Sequence, residues 1–545
     1  MSCYCLVLIF GFYSISAYSL EILEKVTDDY HECARPCTDE SALRKTCVYH
    51  FVVTESYGAT SSFYNQKDFN ENDETSPECA NATKVQEKSL LAINGKSPGP
   101  AIQVCLGDAI EVFIYNKLES DEVAFHWHGI RQKNSNYMDG VSMITQCPIL
   151  PFSGFRYKIY PESTGTYFYH AHSVSQQGDG LYGSLTVRGP RDKDLSWERT
   201  LILSSRPPTP LTRHASLYPP TPGELLVNGQ ARQALVRVKY GFRYLLRLVN
   251  ANAYDCPILL STHGHSLQIL AADSNPVQSM TGTNVVLFPG ERLDAILIAD
   301  QTIGKYVLDL QGLRECRSLR QEAYIFYEDA ALNSHAIRTP DAGLKNGALR
   351  IPQINGMSFK YPPSPILSQP ENTLEKSVCS LDKRSSECTD TPLFCECLQL
   401  LQISPQKTIE IILINEGFGG NASYTFHLHG YNASIIGRDS FEQPLTKNKI
   451  ISMDLNGKIR RNFINPVRKD TFVVPNKGYI ILRFYTDNLG YWLWEVRSTA
   501  LYPPLLGPGM QFLMRVGLQR NLPVVPIEFP SCGNNKGMDL LFENS

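Results

Sequence analysis

Three histidine pairs are the residues whose type and spacing point most directly to chemistry. Histidine occurs only twelve times among 545 residues. Half of these histidines form three His-x-His pairs: His126 and His128, His170 and His172, and His427 and His429. Residues i and i+2 of a strand point to the same face, so each pair offers two imidazoles to one place. Imidazole binds copper, zinc, iron and nickel, so the pattern predicts a metal centre.

A fourth pair, His263 and His265, has different surroundings. The flanking residues Ser261-Thr262 and Ser266-Leu267-Gln268 are typical of an ordinary hairpin. A histidine in a turn needs no ligand role. We therefore expect this pair to be structural.

The elements that must position the histidines are short β-strands. From about residue 80 onward, short apolar runs alternate with Gly, Pro and Asn, and no long amphipathic helix is evident. Such runs occupy residues 109–115, 244–249, 408–414 and 479–484. This pattern is typical of all-β sandwiches. A strand that ends in Asn recurs at Asn116, Asn250 and Asn415, which indicates three related domains.

Length and composition agree with a globular chain of several domains. A chain of 545 residues is too long for one hydrophobic core. Apolar residues make up 43% of it and charged residues 19%. The net charge of -3 gives no reason to expect a nucleic acid or an acidic membrane as partner.

Several longer stretches carry a family resemblance. They are FHWHGI (125–130), MDGVSMITQCPI (138–149), GTYFYHAH (165–172), DGLYGSLTV (179–187), PGERLD (289–294), FHLHG (426–430), KDTFVVP (469–475) and DNLGYW (487–492). With them the chain resembles the multicopper oxidases, close to the laccase-like branch and the multicopper oxidase-related proteins of insects. The resemblance implies three cupredoxin-like Greek-key β-sandwich domains. It also implies a trinuclear copper cluster between the first and third domains and a type 1 copper in the third.

The expected organisation follows from this resemblance and from composition. The segments are a signal peptide (1–19), a cysteine-containing N-terminal extension (20–80), domain one (81–190), domain two (191–350), a Pro- and Ser-rich linker (351–395) and domain three (396–545).

The resemblance assigns six of the eight cluster ligands. They are His126 and His427 for the type 2 copper, His128 and His170 for one type 3 copper, and His172 and His429 for the other. The last two ligand positions hold Glu495 and Arg497. A guanidinium stays protonated and offers no lone pair. At ~4 Å and an effective dielectric near 20, it repels each unit of cupric charge by ~4 kcal/mol.

The type 1 site has lost its ligands. Such a site needs two histidines and one cysteine around the copper. By resemblance, Tyr424 stands at the position of the first ligand histidine and Val496 at that of the ligand cysteine. The position of the last histidine falls near Leu501, so that only Met510 remains, as an axial ligand. An error in the gene model could explain residues 495–508 alone, but it would not explain Tyr424.

Three functions stay open from the sequence. The first is a secreted, non-catalytic homologue of laccase, a pseudoenzyme that binds an unknown extracellular protein or matrix. The second is a residual copper or zinc protein, with one site at His126 and His427 and another at His172, His429 and Glu495. The third is an active copper-dependent oxidase of phenols or metal ions. We expect copper at partial occupancy in type 2-like or type 3-like sites, and no type 1 copper.

Residues 1–19 contain an apolar run followed by small residues, which is typical of a secretory signal. No later apolar run is long enough to span a membrane. Three tripeptides match the acceptor pattern for N-glycosylation, at Asn81, Asn421 and Asn432. Together these features predict an extracellular glycoprotein.

The cysteines agree with an oxidising compartment. Thirteen of the fifteen follow the signal and are scattered along the chain, which favours disulfides over a zinc cluster. The resemblance implies that Cys105 pairs with Cys532 and that Cys147 pairs with Cys256. Because thirteen is an odd number, at least one of these cysteines must have a free thiol or be bonded to another chain.

Overall fold

The computed structural model describes residues 31–37, 44–57, 89–190, 197–213, 220–231, 234–330, 336–337, 357–373, 377–380, 396–417, 422–497 and 510–533. Within these ranges the chain forms three successive β-sandwiches, each made of two sheets. The expected all-β class is confirmed.

The first sandwich joins the sheets β2-β1-β4-β6 and β3-β8-β7-β5. Its strands are β1 (Thr46–Tyr57), β2 (Ser89–Ile93), β3 (Ile102–Cys105), β4 (Ala109–Asn116), β5 (Phe125–His128), β6 (Gly154–Ile159), β7 (Gly165–Ala171) and β8 (Tyr182–Arg188). Buried and half-buried residues alternate along β4, so its apolar residues line the core between the two sheets.

The second sandwich joins the sheets β10-β9-β12-β17-β14-β15 and β11-β19-β18-β13-β16, with β20 beside β18. Its strands are β9 (Glu198–Arg206), β10 (Glu224–Val227), β11 (Ala234–Val238), β12 (Arg243–Asn250), β13 (Ile258–Thr262), β14 (Leu267–Ala272), β15 (Asn275–Gly282), β16 (Asn284–Leu287), β17 (Arg292–Ile298), β18 (Lys305–Gly312), β19 (Arg320–Tyr327) and β20 (Ala336–Ile337).

The third sandwich joins the sheets β21-β23-β31-β30-β25-β28 and β24-β29-β26-β27, with β22 beside β23. Its strands are β21 (Ser358–Phe359), β22 (Val378–Cys379), β23 (Glu396–Ile403), β24 (Thr408–Asn415), β25 (Tyr424–Leu428), β26 (Ala433–Ser440), β27 (Arg468–Lys469), β28 (Thr471–Val474), β29 (Gly478–Tyr485), β30 (Gly490–Val496) and β31 (Gln511–Val516).

Among the described residues, helices are few and short. The α-helices are α1 (Val174–Gly178) and α2 (Lys447–Leu455), and 3-10 turns span Asn136–Met138, Leu211–Arg213, Arg314–Cys316, Pro370–Asn372 and Gln519–Asn521. None of the described helices is long and apolar enough to cross a membrane.

Two of the expected segments contribute strands to the sandwiches. The expected extension, 20–80, contains β1, which pairs in parallel with β4, so the first sandwich begins at Thr46 rather than near residue 81. The expected linker, 351–395, contains β21 and β22, which both pair with β23.

Both expected disulfides are wrong. Cys105 is bonded to Cys37 rather than Cys532, and Cys147 is bonded to Cys532 rather than Cys256. The reason lies in the N-terminal segment. Arg35 donates two hydrogen bonds to Asp108, at 2.7 and 2.8 Å, and Asp108 accepts a third from the Cys105 amide. These bonds hold the segment beside Cys105.

Three further disulfides join neighbouring elements: Cys256 with Cys316, Cys33 with Cys47, and Cys379 with Cys397. The Cys147–Cys532 bond ties the first sandwich to the C-terminal segment across 385 residues. Cys79, Cys388 and Cys395 lie outside the described residues. The expected unpaired thiol would be among these three cysteines. The expected signal peptide, Asn81 and Asn421 also lie outside the described residues.

Candidate metal centre

Strand pairing brings the predicted histidines to two facing edges. In domain one β5 runs antiparallel to β7, which sets His126 opposite His170. In domain three β25 runs antiparallel to β30, which sets His427 opposite Glu495. The two edges meet between the domains, where the Asn136 side chain exchanges hydrogen bonds of 3.0 Å with both backbone groups of Tyr491 in β30.

All six histidines of the three pairs lie in one buried cluster, and none is more than 9% exposed. His126 Nε2 lies 3.2 Å from His427 Nε2 across the domain boundary. The His128 ring stacks on the His427 ring with 3.6 Å between centroids. His128 Nδ1 lies 3.4 Å from His170 Nε2. Burial, with the neighbouring histidines, holds the pKa of His126 well below its ordinary value, so this ring is neutral.

Oxygen atoms on the far side of the rings orient these histidines. His126 Nδ1 lies 2.8 Å from the Asp139 carbonyl oxygen. The Thr471 hydroxyl lies 3.2 Å from His427 Nδ1 and 3.1 Å from His128 Nε2. Such oxygen partners fix the tautomer and the direction of metal-binding imidazoles.

His429 lies between two carboxylates. Its Nδ1 is 2.8 Å from Asp139 Oδ2, and its Nε2 is 3.2 Å from Glu495 Oε1. Burial by itself lowers the pKa of His429, but the two carboxylates outweigh burial and raise the pKa to about 9. His429 is therefore a cation near neutral pH, with both ring nitrogens protonated.

Glu495 and Arg497 complete the cluster. Arg497 Nη1 donates to Glu495 Oε1 at 2.9 Å. Its Nη2 donates to the His172 carbonyl oxygen at 3.0 Å and to Gln177 Oε1 at 2.9 Å, so it joins domain three to domain one. Burial by itself raises the pKa of Glu495, but the Arg497 charge and the neighbouring histidines hold it well below its ordinary value.

Multicopper oxidase family models match three stretches of the chain, residues 74–192, 205–328 and 362–499. The chain belongs to the multicopper oxidase family. It is 28% identical over 498 residues to a laccase of Neurospora crassa, across 80% of this chain and 76% of that protein. It is 29% identical over 443 residues to Laccase-1 of Botryotinia fuckeliana, across 74% of this chain and 75% of that protein.

Solved multicopper oxidases share the fold. The laccase of Botrytis aclada aligns with a TM-score of 0.66 at 20% identity, over 95% of this chain and 93% of that one. Fet3p, a multicopper oxidase that functions in iron import, aligns with a TM-score of 0.65 at 19% identity, over 89% of this chain and 93% of that one. The three sandwiches are therefore cupredoxin-like domains, as the resemblance implies.

An apolar core surrounds the positions where the multicopper oxidase resemblance places type 1 ligands. Val496 is 3% exposed and belongs to the same apolar cluster as Met510, Phe426 and Trp494, with Tyr424 packed against its edge. A valine side chain has no donor atom for copper. These residues do not fit a type 1 copper; Leu501, the remaining position, lies outside the described residues.

The residues of the cluster fit a multicopper oxidase site only in part. The imidazoles of His126, His128 and His427 place ligand atoms within 4.8 Å of one another, and so do those of His172 and His429 with Glu495. The pair of type 3 coppers does not fit, because Arg497 has no lone pair and already bonds to Glu495.

The fourth pair stays apart from this cluster. His265 Nε2 lies 2.9 Å from the Tyr327 hydroxyl, and its Nδ1 lies 3.2 Å from the His263 carbonyl oxygen. These partners agree with the structural role expected of the pair. Its flanking strands, β13 and β14, lie in different sheets, so the turn is not the expected hairpin.

Sequence reasoning missed three groups of the site: Asp139, Thr471 and Gln177. Asp139 and Thr471 fall within the stretches MDGVSMITQCPI and KDTFVVP, so the family match carried a signal for both. Gln177, in α1, falls in no matched stretch.

Proposed function

We propose that this protein is a laccase-like multicopper oxidase homologue that does not reduce oxygen and that serves as an extracellular binding or structural protein. The described residues form all three cupredoxin-like sandwiches, whereas the groups that would carry electrons to a copper cluster are replaced. We therefore infer that the fold is retained while the oxidase reaction is lost.

The observation that carries the proposal is the position of Arg497. Its guanidinium donates to Glu495 in its own strand and to Gln177 in domain one. It thereby places a fixed positive charge beside His170, where domain three meets domain one. Family chemistry needs a lone pair from this position and a thiolate from the neighbouring one, and Val496 supplies no thiolate.

The extracellular location rests on the sequence. The apolar N-terminal run, the disulfides and the three glycosylation acceptors all fit a secreted glycoprotein. Asn432 is the acceptor that lies within the described residues. It is half-buried, and its Oδ1 accepts a hydrogen bond of 2.9 Å from Asn275 of domain two.

An active copper-dependent oxidase is the second candidate, because six histidines of the cluster are present and converge. When bound, a copper cluster would pass electrons from a reducing substrate, such as a diphenol, to oxygen. In this chain, His126, His128 and His427 would hold the copper that the site fits, and Asp139 and Thr471 would orient these three histidines.

One experiment separates the two functions. The secreted protein is loaded with copper, dialysed, and assayed for oxygen uptake with a diphenol, beside a fungal laccase as positive control. We expect no uptake above the rate of the diphenol alone, with a circular dichroism spectrum typical of β-structure. Copper-dependent uptake in the folded protein would overturn the non-catalytic proposal.

A further inference from the structure

Four large apolar side chains are exposed within one segment of domain three, residues 455–468. Leu455 is 84% exposed, Ile464 80%, Phe463 57% and Val467 41%. Side chains as exposed as those of Leu455 and Ile464 have almost no neighbours in their own chain, so they protrude into solvent. One exposed apolar residue is ordinary on a protein surface, but several close together point to an interaction site. We call this segment the 455–468 surface.

The helix that leads into this segment, α2, has an inner and an outer face. Ile450 is buried and Met453 half-buried, and both pack in the apolar cluster that covers β26 and β29. Ile451 and Leu455 are four residues apart, so they share a face of the helix, and both are exposed. The helix thus meets its own sheet with other residues. Packing within the described part of the chain does not account for the apolar outer face.

Ion pairs fix the segment against the sheet. Arg461 donates to both carboxylate oxygens of Asp454, at 2.6 and 3.1 Å, and to Glu410 Oε1 at 2.9 and 2.7 Å. Arg483 donates to the other oxygen of Glu410, at 3.2 and 2.6 Å, and its guanidinium carbon lies 4.6 Å from the centre of the Phe463 ring. These contacts hold the segment in place and leave neither carboxylate without a cation.

The surface also carries an excess of positive charge. From Leu455 to Arg468 the chain has four basic residues and no acidic one. Arg461 is paired, but Lys458, Arg460 and Arg468 are exposed and have no ion-pair partner among the residues that the structure describes. The net charge of -3 for the whole chain conceals this local excess. The surface is therefore both apolar and cationic.

A negatively charged lipid bilayer is the partner that fits both properties. Apolar side chains enter the boundary between headgroups and acyl chains, while lysine and arginine remain among anionic headgroups. A folded protein would need a separate pocket for each protruding side chain, whereas a bilayer deforms around them. A sulfated polysaccharide would pair with the basic residues but would leave Leu455 and Ile464 in water.

We propose that the 455–468 surface docks on negatively charged lipid bilayers and makes this protein a peripheral membrane protein. The segment ends in β27, within the sheet β24-β29-β26-β27, whereas His427 and Glu495 belong to the other sheet of the same domain. Docking would therefore leave the histidine cluster unchanged. The inference goes beyond the proposed function, because attachment to a membrane requires neither the presence nor the absence of oxygen reduction.

Cosedimentation of the folded, full-length protein with vesicles tests the proposal. One set of vesicles contains phosphatidylcholine and phosphatidylserine in equal amounts, and the other contains phosphatidylcholine alone. We expect the protein to sediment with the mixed vesicles at low salt and less at high salt, because salt screens the basic residues. With the neutral vesicles we expect little or no binding. No binding to the mixed vesicles at low salt, or equal binding to both sets, would overturn the proposal.

Two double variants separate the apolar from the charged contribution. Leu455→Ser with Ile464→Ser removes the protruding side chains, and Lys458→Gln with Arg460→Gln removes two charges. We expect each double variant to weaken binding to the mixed vesicles by about tenfold or more. All four side chains are exposed, so both variants should keep the circular dichroism spectrum of the wild type.

The matched control is Ile303→Ser with Ile337→Ser, which removes two exposed apolar side chains from domain two. It should bind vesicles like the wild type. Unchanged binding in either variant of the 455–468 surface would overturn the proposal, and so would an equal loss in the control. Two further results would overturn it by assigning the surface to another partner. One is retention on immobilised heparin without vesicle binding, and the other is a dimer that Leu455→Ser with Ile464→Ser converts to a monomer in sedimentation velocity.

Discussion

Arg292 of domain two and Asp470 of domain three form a buried ion pair directly behind the histidine cluster. Two hydrogen bonds of 2.7 and 2.6 Å join them, and neither side chain is more than 2% exposed. Thr471, which follows Asp470, contacts both His427 and His128. Gly129 has a positive φ of 92°, and a side chain there would collide with the guanidinium. The pair therefore fixes the packing of three domains at one point.

Asp470→Asn should destabilise the protein strongly, because it removes the carboxylate that accepts two hydrogen bonds from Arg292 and leaves Asp273, at 3.5 Å, as the remaining carboxylate partner. We expect a loss of about 3–5 kcal/mol in the free energy of unfolding. Differential scanning calorimetry would show the main transition at a lower temperature. The control is Glu32→Gln in the exposed Lys45–Glu32 pair, where we expect less than about 1 kcal/mol. Equal effects of the two substitutions would contradict the prediction.

Peptide mapping without reduction should recover Cys37 linked to Cys105 and Cys147 linked to Cys532. Removal of the second bond by Cys147→Ser and Cys532→Ser together should cost about 2–5 kcal/mol of stability, because that bond closes a very long loop. A peptide in which Cys105 is linked to Cys532 would refute the connectivity described here.

The Arg35–Asp108 pair should make part of the stability depend on pH. Burial by itself raises the pKa of Asp108, but the hydrogen bonds from Arg35 and from backbone amides lower it below its ordinary value. A carboxyl with a lowered folded pKa stabilises fully above its unfolded pKa of about 3.9, and loses that contribution as the pH falls through the folded pKa.

Arg35→Gln removes the main partner of Asp108, so its melting temperature should lie below that of the wild type near neutral pH. The gap should narrow as the pH falls below about 4, where the carboxyl becomes protonated in both proteins. Melting curves between acidic and neutral pH would measure it. A gap that stays constant across this range would exclude the pair as its cause.

Val496→Cys should not create a type 1 copper. The new thiol would lie in an apolar cluster with Phe426 and Met510, and Tyr424 would still hold the position of a ligand histidine. We expect a folded protein, changed in stability by less than about 1.5 kcal/mol, with no intense blue absorption after copper loading. A blue product would show that this core rearranges around copper.

The sequence was sufficient to predict the fold class and to predict that the six histidines lie together in one cluster. Strand alternation fixes which side chains share a face, and the long matched stretches fix the order of the domains. The contacts of Arg497 could not be predicted, because Gln177 and the His172 carbonyl group lie more than three hundred residues away in sequence.

The disulfide pairing likewise could not be predicted, because it depends on contacts between residues that are far apart in sequence. A cysteine pairs with whichever partner the fold brings within reach. The Arg35–Asp108 ion pair and the Cys33–Cys47 bond together hold Cys37 beside Cys105. Nothing in the spacing of the cysteines reveals that salt bridge. The first sandwich likewise gains β1 from a segment whose polar neighbours suggested an extension.

The Cys147–Cys532 bond also changes what a protease can do to this molecule. One cut at any peptide bond between these two cysteines opens the chain but leaves both fragments covalently joined. A nicked molecule would run as one band on a gel without reductant and as two bands with it. At the proposed extracellular location, where peptidases are common, the three domains would thus stay joined after the backbone is cut.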